Sequence, residues 1–114
     1  MFDFQKLEVY KKAKLFHSSC KKLIRESNFD NFVKDQLGRA SFSIPLNIAE
    51  GSGKFSKADR RNYFTTSRAS VFECIAALDI LCDEGELTKS EFEKFVNNGD
   101  ELSRILYAMI KNLS

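Results

Sequence analysis

The chain has 114 residues, of which 43% are apolar and 30% are charged, and it contains only five Gly and one Pro. A chain of this length and composition can bury one hydrophobic core, which excludes a disordered segment, a collagen-like fibre and a small disulfide-rich protein. No apolar run approaches the ~18 residues of a membrane span, so we expect no association with a membrane.

The three cysteines, Cys20, Cys74 and Cys82, lack the spacing of a zinc-binding or redox motif. Their odd number and scattered positions favour reduced thiols. The N-terminal residues also lack the basic start and apolar stretch of a signal peptide. We therefore expect a single domain spanning residues 1–114 that works in the cytoplasm.

Charge is distributed unevenly along the sequence. Residues 1–70 contain 14 Lys and Arg against 7 Asp and Glu, whereas residues 71–114 contain 4 against 9. A basic half beside an acidic half indicates a surface for a polyanion, complementary faces in an oligomer, or ordinary solvated helix surfaces.

Apolar residues recur at helical spacing in four segments, and nothing in the sequence is typical of a β-strand. The predicted helices cover about residues 4–27, 31–51, 57–84 and 89–113. Because short segments join them, consecutive helices should be antiparallel. The sequence therefore predicts an all-α fold, an antiparallel up-down-up-down four-helix bundle.

Local signals mark the ends of the predicted helices. Ser56 and Thr88 should cap the third and fourth helices, and Thr88 forms a capping box with Glu91. The third helix should end at Gly85. The second should end at residues 51–53, where glycine can adopt the left-handed conformation without strain.

Pro45 lies inside the apolar stripe of the second helix. A helical proline lacks an N–H and crowds the carbonyl four residues earlier, so the helix either stops near Ser43 or continues with a kink. Because the stripe continues through Ile48, we favour one kinked helix.

The sequence offers no catalytic or metal-binding motif, so we expect a protein that is not an enzyme and needs no cofactor. His17 is the only histidine, whereas a di-iron site in a helical bundle needs two Glu-x-x-His pairs. The segment around Lys54 is not a phosphate-binding P-loop, because Phe55 stands where that motif requires Ser or Thr. We expect His17 to be a surface residue on a basic helix.

Several polar residues lie close to the apolar stripes of the second and third helices. If they are buried they must be paired, because an unpaired buried polar group costs about 1–3 kcal/mol. They could tie the helices together, or they could line an oligomer seam or channel. Together with Pro45, this set comprises Gln36, Arg39, Ser43, Asn47, Glu50 and Glu73.

The central part of the sequence resembles a known family. Gln-x-x-Arg-Ala at residues 36–40 is followed by Ser-Ile-Pro-x-Asn-Ile-Ala-Glu-Gly at residues 43–51. This is the pattern of the four-helix-bundle proteins encoded in intervening sequences of bacterial 23S rRNA genes, whose relatives include the accessory protein of diversity-generating retroelements. Residues 68–73 are also similar to the family's pattern, although Ala69 replaces its usual glycine.

The resemblance implies a ring-like homopentamer without enzymatic activity, with its proline inside a long second helix and nucleic-acid binding on a basic surface. Apolar residues left exposed on one chain, such as Phe42 and Leu46, should mark the contact between subunits. A second hypothesis is an interaction scaffold that docks a partner such as a reverse transcriptase, without direct nucleic-acid binding.

Contacts with RNA or DNA would be made mainly to phosphates, and would depend on salt more than on base sequence. We predict that they come from basic residues near the start of the third helix, although these residues could also form an ordinary solvated helix face. The predicted contact residues are Lys54, Lys57, Arg60, Arg61 and Arg68.

Overall fold

A computed structural model describes residues 2–113, so the two end residues of the predicted domain lie outside the described residues. It contains four α-helices: α1 (Glu8–Arg25), α2 (Asn31–Ser52), α3 (Lys57–Asp83) and α4 (Lys89–Asn112). No strand occurs within residues 2–113, which confirms the predicted all-α class.

The helices stand at the corners of a square. Each packs against two others: α2 contacts α1 and α3, and α4 contacts α3 and α1, while no Cα atoms of the diagonal pairs approach within 8 Å in the described chain. The connections, residues 26–30, 53–56 and 84–88, are short. Connections this short between packed neighbours are those of an antiparallel bundle.

The interior between the four helices is filled by aliphatic and aromatic side chains. Burying one such side chain contributes about 1.5–3 kcal/mol. Phe16 of α1 also meets Phe95 of α4 edge to face, with ring centroids 6.0 Å apart. The largest apolar side chains that are almost fully buried are Phe16, Leu37, Ile44, Ile48, Leu78, Leu102 and Leu106.

Two of the three free cysteines, Cys20 and Cys74, lie in the centre of this core. A hydrogen bond with Cys20, together with burial, raises the pKa of the Cys74 thiol, so it stays protonated and unreactive. A disulfide needs Cα atoms within about 7 Å. Because α1 and α3 are a diagonal pair with no Cα atoms within 8 Å, the two thiols cannot join without backbone movement.

The beginning of the chain differs from the predicted helix over residues 4–27. Residues 3–6 form one turn of 3-10 helix, and Leu7, in the extended region at φ −70° and ψ 128°, separates that turn from α1. The break lets Phe4 fold back onto Tyr10 edge to face, at 4.9 Å between ring centroids. This contact with α1 is unavailable to a straight helix, which explains why periodicity alone misplaced the start.

Helix α2 continues through Pro45, as predicted. The buried Ser67 hydroxyl of α3 donates to the carbonyl of Ile44, 2.9 Å away, and so ties α3 to α2 beside the proline. The predicted left-handed end of α2 is wrong, because Gly51 is still helical and Gly53 has φ −89°. The absence of a side chain at Gly51 instead allows α2 and α3 to pack closely, because a Cβ there would lie 2.8 Å from Phe64 and Tyr63 of α3.

The predicted starts of α3 and α4 and the predicted end of α3 are confirmed, whereas α1 ends at Arg25, two residues before the predicted end. Thr88 and Glu91 form the reciprocal capping box of α4, and the Ser56 hydroxyl accepts from the N–H of the third residue of α3. Gly85, at φ +78°, follows α3. Its N–H donates to Cys82 O at 3.1 Å, and the next N–H donates to Leu81 O at 2.9 Å, the two bonds of a Schellman motif.

Candidate nucleic-acid interface

The predicted basic cluster near the start of α3 is present, but its arginines also bind main-chain carbonyls. Arg60 Nε donates to Lys54 O at 2.6 Å and closes the α2–α3 loop. Arg61 Nη1 donates to Leu113 O at 2.8 Å, and Arg68 Nε donates to Ser103 O at 3.1 Å. Arg61 and Arg68, seven residues apart, therefore both hold α3 against the α4 segment.

Aromatic rings cover further parts of the same cluster. The Arg68 guanidinium lies 4.9 Å from the ring centroid of Phe72 and 5.5 Å from that of Tyr107, and Lys54 Nζ lies 5.1 Å above Tyr63. Of the five predicted residues, Lys57 alone makes no such contact within residues 2–113 and is exposed. These arginines therefore contribute to the packing of α3 as well as to its charge.

The predicted polar network divides into a connected part and an exposed part. Asn47 Nδ2 donates to the carbonyl and the hydroxyl of Ser43, both at 2.8 Å, and Ser43 Oγ lies 2.9 Å from Ser70 Oγ of α3. Gln36 Nε2 donates across the same two helices to Glu73 Oε2 at 3.4 Å. Ser43, Gln36 and Glu73 thus join α2 to α3, and Asn47 holds Ser43 from within α2.

The other three residues of the predicted polar set, Arg39, Pro45 and Glu50, also belong to α2 but do not join the hydrogen-bond network. Pro45 is buried against the core, whereas Arg39 and Glu50 are exposed and form no side-chain hydrogen bond or ion pair within residues 2–113. Arg39 and Glu50 are therefore available to another molecule.

His17 is not the plain surface residue that the sequence predicted. It is half-buried, and its Nδ1 lies 2.7 Å from the hydroxyl of Ser41, which is fully buried and itself lies 3.2 Å from Gly38 O. Both bonds are satisfied together when Ser41 donates to Gly38 O and Nδ1 carries the hydrogen. Burial, and then the charge of Lys21, lowers the pKa of His17, so the ring is neutral at pH 7.

The ring of His17 lies in an open cleft between α1 and α2 of about 490 Å³. The ring of Phe42, 5.5 Å from that of His17 between centroids, lines the same cleft. Four basic side chains surround the two rings. We call the cleft the α1–α2 groove and define it by His17, Lys21, Arg25, Lys34, Arg39 and Phe42.

The sequence alone did not single out this groove. The sequence shows two pairs of groove residues on neighbouring predicted helices. Lys21 and Arg25 lie one turn apart on the first helix, and Arg39 and Phe42 lie three residues apart on the second. Spacing within a helix cannot show that these two pairs meet, because that depends on how α1 and α2 are rotated against each other.

A second surface, on the outside of α3, is apolar. Phe32 is 70% exposed, Phe72 56% and Ile80 58%, and Ala76 lines the shallow clefts on both sides of α3. We call these four residues the α3 face. Acidic residues rim its clefts, namely Glu73, Asp79, Glu84 and Asp100. The predicted exposure of Phe42 and Leu46 is also confirmed.

Two further properties of residues 2–113 bear on other kinds of function. No group of three or more His, Cys, Asp or Glu side chains in this part of the chain is placed to hold a metal ion. Among the same residues, no helix is both long enough and apolar enough to pass through a membrane.

The fold and these surfaces define an all-helical bundle protein with a basic groove on one side and an apolar face on another. The chain belongs to the family of 23S rRNA-intervening sequence proteins, whose model matches residues 5–108. No curated protein matches the sequence.

The fold is also found in a solved structure of a protein of unknown function from the S23 ribosomal protein family of Bacteroides thetaiotaomicron VPI-5482. The two chains superpose with a TM-score of 0.84 and are 24% identical, and the match covers 90% of this chain and 98% of the other. At this identity the likeness shows a shared fold.

Proposed function

We propose that this protein is a non-enzymatic, self-associating nucleic-acid-binding protein that acts in the cytoplasm. The observation that carries the proposal is positive charge on α1 without matching carboxylates. Helix α1 has six Lys and Arg and one acidic residue, Glu8. Lys11 pairs with Glu8 at 3.5 Å and Lys12 with Glu101 at 2.8 Å, while the other four cations of α1 have no ion-pair partner within residues 2–113.

Such a surface suits a phosphate backbone. Each phosphate neutralised by Lys or Arg releases condensed counterions, which makes binding tolerant of sequence and strongly dependent on salt. The free thiols suit a reducing compartment.

Self-association is supported by the α3 face. Contiguous exposed apolar residues usually mark an interface, and the acidic rim of this face disfavours a nucleic acid there. We assign a second copy of this chain as its occupant. A ring of such contacts would repeat the basic side of each subunit around the assembly, and the family resemblance implies five copies.

The binding half of the proposal is tested by fluorescence anisotropy with a labelled RNA of about 16 nucleotides over a series of salt concentrations. We expect log K to fall linearly with log salt, by about 0.7 per phosphate contact. No binding at about 50 mM salt would refute nucleic-acid binding, and a slope near zero would refute the phosphate contacts.

The assembly half is tested by light scattering at micromolar concentration. We expect five times the 13.1 kDa mass of the chain. Replacing Phe72 and Ile80 by Ser should yield smaller species, whereas Leu15→Ser, at a more exposed apolar position on α1, should not. A single-chain mass for the unmodified protein would contradict self-association.

The α3 face also favours a second candidate, an interaction scaffold that docks a partner such as a reverse transcriptase. A ring that binds no RNA or DNA at about 50 mM salt would favour this scaffold over the first proposal.

A further inference from the structure

The α1–α2 groove gathers cations that the fold does not use. Lys21 and Arg25 lie one turn apart on α1, where like charges slightly destabilise a helix, and Lys34 and Arg39 line the groove from α2. Within residues 2–113 none of the four forms an ion pair or a side-chain hydrogen bond, and Asp35 is the one carboxylate among the residues that line the groove. This excess of positive charge suits an anion with more than one charge.

The groove also presents an aromatic surface. The Phe42 ring is 54% exposed although it belongs to a helix whose inner side is well packed. It rests beside His17, whose ring Ser41 holds at 2.7 Å, so the two rings together form one wall of the groove. The cations that line the groove distinguish Phe42 from the α3 face, whose apolar residues are rimmed by carboxylates. We therefore assign Phe42 to a ligand and not to the contact between subunits that its exposure alone predicted.

The floor of the groove is open at Gly38. A Cβ at this position would meet only Ile24 Cδ1, at 3.8 Å, so packing does not require glycine there. The groove is an open cleft of about 490 Å³, so an extended ligand can lie along it.

We propose that the α1–α2 groove binds a segment of single-stranded nucleic acid, with an unpaired base stacked on Phe42 and its neighbouring phosphates paired with Lys21, Arg25, Lys34 and Arg39. This inference rests on the proposed function and adds the site and the form of the nucleic acid. An exposed ring flanked by cations is the arrangement that binds single strands, because the bases of a duplex are stacked on each other and cannot reach the ring.

The stacking contact is tested with Phe42→Ala, measured against a single-stranded RNA of about 16 nucleotides and against the duplex of the same sequence. Loss of one stacked base should weaken single-strand binding about 5- to 150-fold and leave duplex binding unchanged. Phe55→Ala is the matched control, because Phe55 is 99% exposed and lies between Lys54 and Lys57 of the other basic cluster. It should change neither affinity.

The phosphate contacts are tested with the double variant Lys21→Gln and Arg25→Gln. We expect weaker single-strand binding and a salt slope flattened by about 0.7 for each phosphate that is no longer neutralised. The control is Lys89→Gln with Lys94→Gln, which removes the same charge from exposed positions on α4, outside the basic surface of α1, and it should leave the slope nearly unchanged. Circular dichroism checks that each variant keeps its helices.

The possible failures can be told apart. If the unmodified protein binds RNA but the groove variants behave like their controls, the groove is the wrong site and the proposed function stands. If Phe55→Ala weakens binding and Phe42→Ala does not, the single strand lies at the start of α3 instead. If the unmodified protein binds no nucleic acid, both the groove and the proposed function fail.

Discussion

Two glycines of α2 should respond in opposite ways to the same substitution by alanine. Gly38 is in the helix interior, and its added Cβ would make one ordinary contact, 3.8 Å from Ile24 Cδ1. Gly51 is in the last turn, and its added Cβ would lie 2.8 Å from both Phe64 Cε1 and Tyr63 Cβ. The Tyr63 atom is attached directly to the backbone of α3 and cannot rotate away.

The magnitudes follow from two competing effects. Alanine is about 1 kcal/mol better than glycine in a helix interior, so Gly38→Ala should raise the free energy of unfolding by about that amount. Gly51→Ala gains less at a helix end, and it forces α2 and α3 apart at a typical cost of about 1–3 kcal/mol. We therefore expect a net loss of about 1–2 kcal/mol for Gly51→Ala.

The measurement is urea unfolding followed by circular dichroism, with all proteins at one concentration because self-association shifts apparent stability. The midpoint should rise for Gly38→Ala and fall for Gly51→Ala, with similar m-values. If both midpoints rise, the contact of Gly51 with α3 does not constrain the helices. If both fall, helix propensity is not the dominant effect at Gly38.

Three further predictions concern single side chains. Pro45→Ala should change the free energy of unfolding by far less than the ~3 kcal/mol for proline in a regular helix, because the packing around α2 already accommodates the ring; a full-sized loss in urea would show that the ring itself is required. Arg68→Gln removes the hydrogen bond to Ser103 O and should therefore lower the midpoint of thermal unfolding. The control is Lys57→Gln, which removes the same charge at an exposed position. Equal midpoints for the two variants would show that the bond contributes nothing to stability. Bonding to Thr88 lowers the pKa of Glu91, so the carboxylate stabilises the fold above pH 4.5, and this contribution disappears as the pH falls through the lowered pKa. Glu91→Gln should therefore destabilise the protein at neutral pH and lose that difference in acid, and a difference independent of pH would contradict this.

The sequence by itself determined the helical class and most helix ends. Apolar stripes and caps depend on residues within one or two turns of each other, so Thr88 with Glu91, and Gly85 after α3, could be recognised without a structure. The family resemblance placed Pro45 inside α2, where it lies.

Only the tertiary structure decided what the exposed and half-exposed side chains do. The extended backbone at Leu7 interrupts the predicted first helix, and the edge-to-face contact of Phe4 with Tyr10 stabilises this interruption. Arg61 donates a hydrogen bond to the carbonyl of Leu113, 52 residues away in the sequence. His17 on α1 is hydrogen-bonded to Ser41 on α2. Such contacts depend on the rotation and register of helices against one another, which the packing of the whole core sets and local spacing does not encode.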